Sequence, residues 1–87
     1  MRIGDYELHV WDEYERQKQW TFGERPNKDF LLKTLKHLLA ERTYSAWDEK
    51  VKIAWNLHGW DGVVEHGEGV WDISEKKLEI TCLEVYK

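Results

Sequence analysis

The sequence is poor in the residues that staple or break a small protein. It has one cysteine, Cys82, so an internal disulfide cannot form and the fold must hold without one, as expected in a reducing compartment. Its one proline, Pro26, falls within Gly23-Glu24-Arg25-Pro26 and marks a chain break there. No apolar run approaches the roughly 20 residues that a membrane span requires, so no membrane association is expected. The opening Met1-Arg2-Ile3-Gly4-Asp5-Tyr6 holds no apolar core of a signal peptide, which points to a cytoplasmic protein. There is no repeat, low-complexity tract or linker, so residues 1–87 are expected to form one domain. Zinc-finger, RNA-binding, kinase and hydrolase motifs are missing too.

What is present is aromatic. Six Trp, four Tyr and two Phe occur in 87 residues. A chain this short buries only roughly 60–65% of its unfolded surface, so large rings must carry much of the core. Eight acidic and eight basic residues cancel over residues 1–43, whereas nine acidic face five basic over 44–87. The net charge of −4 therefore sits in the second half. That disfavours a nucleic-acid backbone as partner and suits a basic protein surface.

Periodicity predicts α+β architecture. Tyr6, Leu8 and Val10 alternate with Glu7 and His9, as in a half-buried strand. Trp20 and Phe22 share a face of a second strand, which makes a hairpin with the first. Asn27 is a natural N-cap, with Asp29 in the first turn and Leu31, Leu32, Leu35, Leu38 and Leu39 forming one helical stripe. Ser45-Ala46-Trp47-Asp48 has the form of a capping box for a second helix, or for the continuation of one bent helix. Trp47, Val51, Ala54, Trp55 and His58 would then share a face, and Gly59 would end it. Gly67 and Gly69 punctuate a return to strands. Ser74-Glu75-Lys76-Lys77 is a polar turn, and the alternation of Leu78-Glu79-Ile80-Thr81-Cys82 shifts by one residue at Leu83, as a β-bulge or a strand buried on both faces would cause. The expected order is ββ-αα-ββ(β), an antiparallel sheet covered on one face by two helices or one bent helix.

Each chemical candidate competes with a structural explanation. His58 and His66, with Asp61, Glu65 and Glu68 nearby, could serve a small metal-dependent hydrolase, but their spacing matches no compact metal motif. Cys82 shares parity with Leu78 and Ile80 and reads as an ordinary core residue. Lys28, Lys33, Lys36 and Arg42 could face nucleic acid, yet a charged face is the usual counterpart of an apolar stripe. Trp20, Trp47, Trp55 and Trp71 fit core positions, while Trp11 falls on the polar side of the first strand and Trp60 in a turn.

The expected function is therefore non-enzymatic protein binding. The profile is that of a small acidic inhibitor or antagonist, the class that includes phage anti-defence and toxin-immunity proteins, blocking a basic surface of its partner. Trp11, Trp60, Asp61, Glu65 and Glu68 are the expected contact residues. The alternatives are the hydrolase and a nucleic-acid or carbohydrate module using exposed Trp. No cofactor is assigned. The protein would be a monomer, or a homodimer formed through an unpaired edge strand near the C-terminus.

Overall fold

The computed structural model describes residues 5–45 and 47–86. Strands β1 (Tyr6–Asp12) and β2 (Gln17–Phe22) pair antiparallel, forming the expected hairpin. The turn works without an Asn-Gly pair because Glu15 adopts a left-handed conformation, φ 65°. Asp12 organises it: one carboxylate oxygen accepts the backbone N–H groups of Tyr14 (2.9 Å) and Arg16 (3.1 Å). Its other oxygen accepts from Arg16 Nε at 3.0 Å and lies 3.6 Å from Arg42 Nη1.

Helix α1 (Lys28–Ala40) starts where the capping chemistry places it. Asn27 Oδ1 accepts the Phe30 N–H at 2.8 Å, and Leu31, Leu35, Leu38 and Leu39 are buried along the stripe.

The second helix is absent from residues 50–59, which form strand β3 (Lys50–Gly59). The reason is visible in what each geometry would bury. A helix would turn Ile53 and Leu57 away from Val51 and Trp55, whereas a strand puts all four on one side. All four are buried, and Lys52, Ala54, Asn56 and His58 point the other way. The proposed capping box includes Ala46, which lies outside the described residues. Around it, Ser45 Oγ accepts the Trp47 N–H (3.3 Å) and the Ser45 carbonyl accepts the Asp48 N–H (3.0 Å), closing a turn. Gly59 pairs with Gly62 in the next hairpin instead of ending a helix, and the left-handed residue there is Gly62, φ 128°.

Strand β4 (Gly62–Asp72) runs straight through the two glycines expected to interrupt it. Gly67 is a seat for Trp55: a Cβ added there would lie 2.0 Å from the indole ring. Strand β5 (Lys77–Val85) pairs with β4 and carries the expected bulge. Glu68 pairs with Cys82 and Gly69 with Ile80, leaving Thr81 over. That extra residue also moves Cys82 to the face opposite Leu78 and Ile80, so the cysteine is partly exposed and not a core residue.

The order is thus ββ-α-βββ, with one helix in place of two, and the antiparallel sheet runs β2-β1-β3-β4-β5. Buried residues of α1 form one cluster with Leu8, Val10, Phe22, Val51, Ile53, Trp55, Leu57, Val64 and Trp71. Trp55 and Trp71 occupy the core as expected, but two other indoles do not. Trp47 is 93% exposed in the loop before β3, and Trp20 is 43% exposed on the outermost strand, in edge-on contact with His37 (6.2 Å). No helix among the described residues is long and apolar enough to cross a membrane.

Candidate protein-binding face

The sheet face opposite the core cluster collects the polar chemistry of the chain. Because cross-strand partners share a face, the register aligns Gln19, His9, Asn56, His66 and Glu84 in one row over all five strands. On one side of this row Glu7 stands opposite His58. On the other, Gln17, Trp11, Ala54, Glu68 and Cys82 form a parallel row. Three of the four histidines and Trp11 therefore share one surface, drawn from β1, β3 and β4.

These side chains hold one another. His9 stacks against Trp11 at 6.4 Å and meets the edge of His58 at 4.5 Å. The Gln17 amide donates to His9 Nδ1 at 2.7 Å, which leaves the His9 proton on Nε2, 3.4 Å from Glu7 Oε1. His66 is likewise oriented through a ring nitrogen. Its Nδ1–H donates to Asn56 Oδ1 at 2.6 Å, and Nε2 faces the Glu68 carboxylate at 3.7 Å. Burial depresses the pKa of His58, the neighbouring His9 adds to the effect, and Glu7 opposes it. His58 is therefore held towards its neutral form. The outcome is a surface of partly buried, mutually oriented rings and amides, with Glu7, Glu68 and Glu84 supplying negative charge and Lys50 and Lys52 positive charge at one end.

The expected contact residues divide over the molecule. Trp11 and Glu68 lie on this face, in the same row and separated by Ala54. Trp60 and Asp61 form the tip of the β3–β4 hairpin next to His58-Gly59, with Trp60 68% exposed. Glu65 belongs to the other side, since it pairs with Leu57 and its carboxylate lies 3.7 Å from Arg25. His9, Asn56 and Gln17 were not singled out from sequence. Reading Val51-Lys52-Ile53-Ala54-Trp55-Asn56-Leu57-His58 with period two would have exposed Asn56, the member of the row on β3.

Among the described residues no group of three His, Cys, Asp or Glu side chains converges as a metal site would require, so His58 and His66 do not form one with their carboxylate neighbours. Arg42 is buried against Asp12 and donates to the Arg16 carbonyl at 3.0 Å, which removes it from any basic helix face. A groove of about 800 Å³ beside β2 is lined by Trp20, Phe22, Arg25, Pro26 and Phe30. It has aromatic walls but its one cation is turned to Glu65.

At the opposite end of the sheet a second polar group ties the loops together. Arg16 lies over the rings of Tyr14 and Tyr44, and the Tyr14 hydroxyl donates to Asp48 at 2.7 Å. That hydrogen bond pushes the Tyr14 pKa up to about 12. These contacts join the β1–β2 turn to the α1–β3 loop and explain the group structurally.

Compared with protein-family models, curated proteins and solved structures, the chain matches none, so the reading of this face rests on its own geometry.

Proposed function

We propose that the protein is a non-enzymatic protein-binding domain, and that its contact surface is the open sheet face centred on Trp11, His9 and His58. The observation that supports this reading most is Trp11 itself, a large ring that stays partly accessible and stacks against His9, which Gln17 holds by a hydrogen bond. Tryptophan in a pre-ordered setting is the residue type that dominates binding energy at protein interfaces. Because the rings and amides around it are already oriented, little side-chain entropy is lost on docking. Glu7, Glu68 and Glu84 on the same face, with the net charge of −4, favour a partner whose surface is basic. An inhibitor or antagonist that covers such a surface, of the phage anti-defence or toxin-immunity kind, is the role that fits a small acidic domain of this build.

The test is capture of partners from nuclease-treated bacterial lysate by the tagged protein, run beside Trp11→Ala and Trp47→Ala. The expected outcome is one stoichiometric protein that Trp11→Ala loses and Trp47→Ala keeps. A partner retained equally by all three proteins would remove the open face as its site, and an empty capture would remove the binding function.

A further inference from the structure

We infer that β5 is a self-association edge, where a second copy of this chain pairs antiparallel about a two-fold axis and continues the sheet. This inference is independent of the open-face reading, since it concerns the rim of the sheet and not its face.

The two edges of the sheet differ. At β2 the core-side residues are each engaged by α1 or its C-cap: Lys18 with the cap Glu41 at 2.9 Å, Trp20 with His37 at 6.2 Å and Phe22 with Phe30 at 5.6 Å. Among the described residues, no ion pair or ring contact joins β5 to α1. Leu78 and Ile80 are only partly buried beside the core, and Leu83, Val85 and Tyr86 are exposed. A nine-residue strand with one neighbour and an apolar outer stretch is a template for pairing.

Self-complementarity identifies the occupant. Without a bulge, two identical antiparallel strands keep both faces matched only in registers that set some residue opposite itself. The extra residue Thr81 removes that restriction. Lys77, Glu79, Cys82 and Glu84 lie on the open-face side, and Leu78, Ile80 and Leu83 on the core side. A two-fold axis between Ile80 and Thr81 then sets Lys77 opposite Glu84, Leu78 opposite Leu83 and Glu79 opposite Cys82 of the second copy. Every such pair shares a face. Opposite charges meet at both ends of the junction, and the leucines of both copies extend the apolar side of the sheet. The bulge and charges that usually blunt an edge here specify one register.

The experiment is sedimentation velocity over a concentration series from low micromolar upward, on wild type, Lys77→Glu, Glu84→Lys and the double reversal, with circular dichroism confirming each fold. The wild type is expected to form a dimer. Each single reversal places like charges at both ends and should weaken dimerisation at least about tenfold, and the double reversal should restore it. Glu79→Cys gives a readout that needs no charge change at the ends. Mild oxidation should link it covalently to Cys82 of the second copy, a bond that positions 79 and 82 of one extended strand are too far apart to form internally. A monomeric wild type, single reversals as dimeric as wild type, a double reversal that stays dissociated, or no covalent dimer from Glu79→Cys would each overturn the proposal.

Discussion

The two faces of the sheet are built from the same five strands and obey opposite rules. On the core side β1, β3 and β4 present Leu8, Val10, Val51, Ile53, Trp55, Leu57 and Trp71, all at or below 4% exposure. Fit decides what is allowed there, to the point that β4 carries a glycine so that the Trp55 ring has somewhere to lie. On the open side the same strands present His9, Trp11, Asn56, His58 and His66, joined by hydrogen bonds and ring contacts and still reached by water. Alternation lets a thin protein separate its tasks. One set of positions holds the fold while the other can change chemistry at small structural cost.

That contrast can be broken most sharply at Gly67. The Gly67→Ala methyl group would overlap the fully buried Trp55 ring, so Gly67→Ala should destabilise by about 2–3 kcal/mol. Chemical denaturation measures it. A loss below about 0.5 kcal/mol, the ordinary scatter of surface substitutions, would mean that the core side tolerates repacking and that the two faces are not so different. Trp11→Ala comes next. With its ring partly accessible, the loss of stability should be about 1–2 kcal/mol, against about 3–5 kcal/mol for a tryptophan removed from a core. A core-sized loss in the same denaturation series would show that the open face also holds the fold.

The smallest effect is pH-dependent and belongs to the open face alone. His58 has a folded pKa below its ordinary value of 6.5, because burial and His9 disfavour the charged ring. The unfolded chain therefore binds the proton first as pH falls. The stability contributed by neutral His58 is fully present above the ordinary value and is lost as pH drops through the interval beneath it. Denaturation midpoints at neutral and mildly acidic pH should show a modest decline, and His58→Asn should flatten it. A decline of equal size in that variant would assign the titration elsewhere.

Much of this architecture was open to a reader of the sequence, wherever neighbours along the chain decide the outcome. Asn27 caps α1 through a side chain three residues from its donor, and the leucine stripe needs only helical spacing. The alternation of β1, with Trp11 on its polar side, and the bulge signalled at Leu83 were legible for the same reason. The misreading of residues 45–59 came from weighing one pattern without its rival. Val51, Trp55 and His58 suit a helical face, but Ile53 and Leu57 have a place only if the segment is a strand.

By itself, then, the sequence determined the local states: the helix start, the first hairpin, the polar turn into β5 and the alternating chemistry of each strand. Short-range hydrogen bonds and backbone preferences decide these, and both are written in adjacent residues. Only the tertiary structure decided which strands became neighbours, and everything of functional interest follows from that. It set Asn56 between His9 and His66, placed Trp55 over Gly67, sent Cys82 to the open face and left β5 at the rim. Such pairings depend on burying the apolar side of every strand at once, a condition on the whole chain that no single segment can express.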